Sequence, residues 1–274
     1  MKLIINRLFE FYIHSSIHVA LAVLSLFLVF VNANNVLADA NSIAVVFLGS
    51  ITGYNFTKYA SIAKLYHRSL TKSLKVIQIF SLACFVLLVI FLVKIPMESL
   101  IAYGFTSLIT FLYAIPVIGE KNIRSVGGVK IYVVAICWSV TCVIFPALYF
   151  NLNFNKDVLL SFVQVFLLVV SLIIPFDIRD LEYDNNDLLT LPQKIGIRKA
   201  KQVGIILMSI FFIIELFFKS ESKLIAALII FIAYQLAIWY SPNMKKKYYC
   251  SFWIEGIPIV YYVATTVESF LIAL

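Results

Sequence analysis

Five of the chain's fourteen acidic residues fall within positions 177–187. Three of them, Asp177, Asp180 and Asp184, are spaced i, i+3, i+7, which sets them on one helical face. Carboxylates so placed repel one another unless a cation sits among them. Hard oxygen donors suit Mg²⁺, which keeps several waters and bridges one or two carboxylates to a substrate diphosphate. The same spacing also describes a solvated acidic helix end paired with Arg179 and nearby lysines. Positions 55–75 are opposite in character: they hold Lys58, Lys64, His67, Arg68, Lys72 and Lys75 and no carboxylate. Asn55 and Lys58, at i, i+3, share a face. His14 and His18 stand at i, i+4, a spacing that can bind a metal, but neither an HExxH motif nor a third ligand accompanies them. A polar lining of a cavity is the better reading of the two histidines. Glu215 and Glu268 interrupt strongly apolar runs. An intramembrane carboxylate is a functional hypothesis by default, and its plain alternative is a hydrogen bond to a neighbouring helix.

The elements that must position these groups are membrane helices. Of 274 residues, 62% are hydrophobic and 13% charged, with mean hydropathy +0.99. A soluble domain has about 45–50% apolar and about 25% charged residues. A membrane β-barrel is excluded by apolar runs that are continuous rather than alternating over about 10 residues. A spanning helix needs about 20 mostly apolar residues, and nine such runs are expected, near 10–31, 42–59, 74–93, 99–118, 131–150, 158–176, 203–218, 224–240 and 252–273. No linker or composition shift divides 1–274, so one all-α transmembrane domain is expected. The first run follows Lys2 and Arg7 and is too long for the apolar core of a signal peptide, so it reads as a retained span.

Charge sets the orientation. With the N-terminus cytoplasmic, eighteen of the 22 basic residues fall on the cytoplasmic side and four, Lys94, Lys156, Lys219 and Lys223, on the other. This asymmetry alternates correctly over nine spans and predicts an N-in, C-out protein of a plasma-membrane-like bilayer. The net charge of +8 is therefore a lipid-facing property and does not indicate nucleic acid. The four cysteines form no CxxC pair and give neither a disulfide framework nor a zinc site. Trp239, Tyr240, Tyr248, Tyr249 and Trp253 read as an interfacial aromatic belt.

The stretch DIRDLEYDNNDLLTLPQKIG, positions 177–196, resembles the second aspartate motif of UbiA-type intramembrane prenyltransferases, DxRDxxxD with a trailing TLPxxxG. The nine-span, N-in topology, with this motif after the sixth span, is similar to that family over essentially the whole chain. Tyr113, Pro116, Arg124 and Lys130 after the fourth span, and Trp138 on the fifth, match it more loosely. The resemblance implies a polyprenyl diphosphate whose headgroup meets Mg²⁺ held by aspartates near the cytoplasmic face, with its tail in an apolar cavity. An acceptor then attacks the allylic cation that forms as diphosphate departs. The family's first motif, close to NDxxDxxxD, is departed from here. Asn55 matches, but Phe56, Tyr59 and Ala63 stand at the aspartate positions. Lysine and arginine side chains can replace the missing metal cluster by binding diphosphate directly. The resemblance thus assigns Asp177, Asp180 and Asp184 as metal ligands and Asn55, Lys58, Arg68, Arg124 and Lys130 to the diphosphate. Two other readings stay open: a non-catalytic UbiA-like protein that binds a prenyl lipid or a protein partner, and a small transporter using Glu215, His14 and His18 as a polar path. Clear internal repeats, which would favour the last, are missing from the sequence.

Overall fold

The computed structural model describes residues 2–63, 72–118, 121–122, 128–182, 188–219, 223–241 and 248–273. The nine apolar runs all become helical. The first is split into α1 (Lys2–His14) and α2 (Ile17–Ala33), which meet at 55°. Then come α3 (Ala40–Ala63), α4 (Lys72–Leu92) and α5 (Met97–Ala114). A short ribbon follows, β1 (Pro116–Ile118) antiparallel to β2 (Lys121–Asn122). The fifth run is α6 (Lys130–Ser139), a π-helical turn Val140–Ile144 and α7 (Phe145–Tyr149) in one rod. Next stand α8 (Lys156–Asp180), α9 (Leu191–Phe217) and α10 (Leu224–Tyr240), and last a π-helical turn Tyr249–Ile254 leading into α11 (Ile257–Ala273). By length and hydropathy six of these segments can cross a bilayer, seven if the bent α1–α2 pair is one span. α10 is apolar but only 17 residues long, and α3 is diluted by Asn41, Asn55 and Lys58.

Packing closes a ring: α2 lies between α3 and α11, α8 between α6 and α9, and α10 between α9 and α11. The core runs down its middle, through Leu26, Phe27, Phe145, Leu168, Ile174, Phe211 and Tyr234, all essentially inaccessible. The outer faces of α4 and α5 expose Ile79, Ile90, Ile101 and Phe105, the surface that lipid covers.

Local chemistry explains the breaks. The fourth span ends at Ala114, four residues before its expected limit, because Pro116 forces Ile115 into the extended region (φ −97°, ψ 151°). Asn155 caps α8 by accepting from the Val158 amide at 3.0 Å. Inside α8, Pro175 has no N–H for the Ser171 carbonyl. The buried Tyr234 hydroxyl of α10 donates to that carbonyl instead, at 2.8 Å. At the head of α9, the Thr190 amide donates to the Gln193 side chain at 2.8 Å, half of a capping box, and Pro192 sits in the first turn. Gly196 takes φ 79°, ψ 158°, a conformation open to glycine, and kinks the helix there. The TLPxxxG stretch is thus a cap, a helix starter and a kink.

Candidate functional site

Asn55 and Lys58, two of the candidate residues, lie where the first span is broken. Ser16 adopts φ 65°, in the left-handed region, and interrupts the first span. The polar groups exposed by that break are met from α3. Buried Asn55 donates through Nδ2 to the Ser15 carbonyl at 3.0 Å and accepts through Oδ1 from the Ser16 hydroxyl at 2.8 Å. The Lys58 ammonium donates to the same hydroxyl at 2.9 Å, and the Tyr59 hydroxyl donates to the His14 carbonyl at 3.0 Å. The structure brings Asn55 and Lys58 together as their spacing predicts, with a backbone break of the first span between them and the rest of the bundle.

The second break is the π-helical turn before α11. Buried His18 bridges to it: its Nε2 lies 2.9 Å from the Phe252 carbonyl and its Nδ1 2.7 Å from the Tyr12 hydroxyl. A carbonyl only accepts, so Nε2 carries the hydrogen and Nδ1 accepts from Tyr12. His18 also stacks on the Phe252 ring at 5.0 Å. It is a structural tie among α1, α2 and the last span and lines neither of the cavities described below, so the expectation of a cavity-lining histidine is corrected. Directly after the turn stands half-buried Glu255, within electrostatic range of Lys58 and Arg179 but in ion-pair contact with neither. Sequence reasoning missed Glu255. Its signal was present, a carboxylate beside Gly256 in an apolar run, but the aromatic cluster around it read as an interfacial belt.

On α8, Asp177 is buried and its Oδ1 lies 3.2 Å from the Lys130 ammonium at the start of α6. Asp180, half-buried, accepts two hydrogen bonds from the Arg179 guanidinium at 2.7 and 2.8 Å, and that guanidinium lies over the Phe176 ring. Asp184, Arg68 and Arg124 lie outside the described residues. Among the described residues no three His, Cys, Asp or Glu side chains converge on a common ion position. Asp177 and Asp180, one turn apart on α8, each meet a basic side chain. α3 has no carboxylate for a second ion.

A cavity of about 730 Å³ runs alongside these groups between α3, α4, α5 and α6. Its far end is floored by Val46, Leu88, Leu92 and Tyr103, and its near end is lined by Tyr54, Asn55, Tyr59, Tyr113 and Val133. Lys58 and Lys130 stand at that near end, one a neighbour of Tyr59 and the other one turn from Val133. The Trp138 indole donates to the Tyr54 hydroxyl at 2.6 Å, fixing both rings on the cavity wall. The space is apolar along its length; Lys58 and Lys130 stand beside its near end without lining it, turned to Ser16 and Asp177.

The other acidic groups hold helices. Glu215 accepts from the Gln164 amide at 2.8 Å and from the Lys223 backbone at 2.6 Å. Glu268 accepts from the backbone amides of Ile225 and Ala226 at 3.2 and 2.9 Å. Both therefore neutralise the unpaired N–H groups that open α10. Lys219 donates to Ser161 at 2.5 Å; burial pushes its ammonium below the ordinary lysine value against the opposing fields of Glu215 and Asp157. These groups line a small cavity of about 60 Å³ shared with Phe30 and Ala33. His18 sits at the opposite end of α2, so Glu215 and His18 are about 20 Å apart at 1.5 Å per residue, and no continuous polar path joins them among the described residues.

No family model matches the chain, and neither does any curated protein. Solved structures do. A digeranylgeranylglyceryl phosphate synthase of membranes is similar with TM-score 0.59 at 18% identity, over 97% of this chain and 99% of that one. A UbiA homolog from Aeropyrum pernix K1, in its apo form, is similar with TM-score 0.66 at 13% identity, over 92% and 98%. The fold of the chain is of the UbiA type.

Proposed function

We propose that this UbiA-type chain binds a polyprenyl diphosphate and transfers its prenyl group to an acceptor at the cytoplasmic face of the membrane. The observation that supports the reading is the apolar cavity of about 730 Å³ whose lining includes Asn55, one turn of α3 before Lys58. In the proposed arrangement the tail lies along α3 and α5 and the headgroup meets Asn55, Lys58 and Lys130, with Arg68 and Arg124 as further diphosphate ligands. The whole chain acts as one domain, with nine spans, the N-terminus inside and the C-terminus outside, in a plasma-membrane-like bilayer. Eighteen of the 22 basic residues on one side support that orientation.

The chemistry follows from charge. As the allylic C–O bond breaks, negative charge grows on the diphosphate, and ammonium groups fixed beside it lower the barrier. Mg²⁺ bound through Asp177, Asp180 and Asp184 would supply further positive charge at the same leaving group. The faces of Tyr54 and Trp138, locked by their mutual hydrogen bond, stand where cation–π attraction favours an allylic cation.

A second reading, of a protein that binds the lipid without turnover, draws on α3 lacking carboxylates and on Asp177 and Asp180 each engaging a basic side chain. Titration calorimetry with geranyl diphosphate tests both. Wild-type protein is expected to bind, Lys58→Met to lose at least tenfold in affinity, and Asp177→Ala to lose the Mg²⁺-dependent part. Binding that is unaffected by Lys58→Met and by Asp177→Ala in folded protein would rule out the assignment. Binding without diphosphate release, across hydroxylated aromatic and lipid acceptors, would select the second reading.

A further inference from the structure

We propose that Tyr103 is the gauge of the tail cavity: its phenol reaches from α5 to α3, closes the space opposite Gly49 and selects a prenyl diphosphate with a farnesyl-length tail. The inference rests on the reading above that a prenyl diphosphate is the ligand, and it adds which tail the protein takes.

The closure is made by one contact between two helices. Gly49 of α3 and Tyr103 of α5 both line the cavity. A Cβ placed on residue 49 would overlap the Tyr103 hydroxyl and stand 2.9 Å from Cζ and 3.2 Å from Cε2 of the ring. The phenol therefore lies on the bare Cα of the glycine, in the space a side chain would take. It is braced from behind. Its ring meets the Phe145 ring edge-on, with centroids 6.1 Å apart at 64°, and Phe145 is inaccessible in the core. Beyond the phenol, Val46 and Leu88 complete the floor, and both are buried. A ligand that runs down the cavity thus ends on packed side chains that have little room to yield.

The length follows from α3. From Tyr59 at the near end to Gly49 is about 15 Å at 1.5 Å per residue, which takes about three extended isoprene units of about 5 Å each. A geranyl tail stops short of the floor and leaves part of the apolar wall uncovered. A farnesyl tail reaches Tyr103. A fourth unit must push the phenol off Gly49 or turn aside past Leu82 and Phe85, the exposed members of the α4 wall. Either way it adds no packed contact. Ordinary packing of α5 on α3 predicts only a loss of stability when the ring is cut back. A gauge predicts a change in which tail binds best.

The test is titration calorimetry with geranyl, farnesyl and geranylgeranyl diphosphate in Mg²⁺, on wild type, Tyr103→Ala, Tyr103→Phe and the double variant that joins Gly49→Leu to Tyr103→Ala. Wild type is expected to bind farnesyl diphosphate at least fivefold more tightly than geranyl diphosphate, and geranylgeranyl diphosphate no more tightly than farnesyl. In Tyr103→Ala the floor is open, and geranylgeranyl diphosphate is expected to bind at least fivefold more tightly than farnesyl. Tyr103→Phe keeps the ring and the wild-type order. In the double variant a leucine refills the space from the opposite helix, and the wild-type order is expected to return. Folding is checked by size exclusion and thermal unfolding, with Tyr103→Leu as a milder cut in which the preference for geranylgeranyl over farnesyl rises at least twofold. An unchanged preference in folded Tyr103→Ala and Tyr103→Leu overturns the inference, as does wild type binding geranylgeranyl diphosphate at least fivefold more tightly than farnesyl; the binding itself keeps the ligand reading. Absence of binding of all three diphosphates by folded wild type overturns the ligand reading and the inference with it.

Discussion

Lys130→Met is expected to unfold the protein earlier than Asp177→Asn does, although the two substitutions remove opposite halves of one ion pair. The pair is asymmetric: at 3.2 Å separation, the Asp177 side chain is 3% exposed and that of Lys130 28%. Removing lysine strands a carboxylate that water does not reach. Removing one partner of a fully buried pair costs about 3–5 kcal/mol, and exposed pairs contribute about 0–1, so a half-covered lysine places Lys130→Met near 2 kcal/mol. Asp177 has a further interaction in the structure, which keeps the figure from the upper end. Removing the charge of Asp177 leaves an ammonium that water can still solvate, at a cost below about 1 kcal/mol. On the scale of about 2–4 °C per kcal/mol for a chain of this size, Lys130→Met should lower Tm in detergent by roughly 4–8 °C and Asp177→Asn by under about 4 °C. The double variant should recover most of the loss, since no stranded charge remains. Equal losses in the two single variants, or additive loss in the double, would refute the reasoning.

Two other outcomes follow from the bundle. Tyr234→Phe leaves the Ser171 carbonyl, already deprived of its helical donor by Pro175, with no partner; a cost of about 1–3 kcal/mol is expected in thermal unfolding. In a Pro175→Ala background the ladder donor returns, and the same substitution should cost little. Asp39 lies between α2 and α3, outside the spans. Burial raises its carboxyl, but hydrogen bonds from Ser42 and Tyr149 outweigh that and hold it below the ordinary value. A carboxylate depressed in the folded state contributes stability above its unfolded pKa of about 3.9 and loses it as pH falls through the folded value. Wild type should therefore lose more stability than Tyr149→Phe on acidification below about pH 4, measured by denaturation at fixed temperature; parallel pH curves would contradict this.

The helices were legible because hydrophobic runs of bilayer length admit almost no other backbone. Asn55 with Lys58 was legible too, since i, i+3 on a helix fixes a shared face whatever lies opposite. What lay opposite was not. Ser15 and Ser16 are ordinary residues in an apolar run, and no local rule announces that Ser16 turns left-handed to meet a side chain some forty positions away. The two π-helical turns are likewise invisible to a 3.6-residue period, and with them went Glu255, whose direction depends on the extra residue. Glu215 and Glu268 were flagged as functional because they are charged in a membrane. The amides they cap belong to α10, and that pairing is set by tertiary neighbours, not by spacing. The triad of aspartates was visible as a pattern, and so was pairing with Arg179, while Lys130 as the partner of Asp177 follows from where α6 begins.

The bend at Ser15 and Ser16 also imposes an order on biogenesis. A carbonyl left open in hydrocarbon costs several kcal/mol, and the Ser15 carbonyl is answered by Asn55, 40 residues downstream. The opened Ser15 carbonyl therefore has no donor until α3 is beside it. When the first run enters the membrane, its cheapest shape is one continuous helix, with that carbonyl kept in the ladder. The break must open later, as an exchange in which an amide side chain replaces a backbone donor. Asparagine at 55 thus serves as a timer of assembly: the corner it shares with Lys58 and Ser16 forms only after the neighbouring hairpin has been threaded into the bilayer.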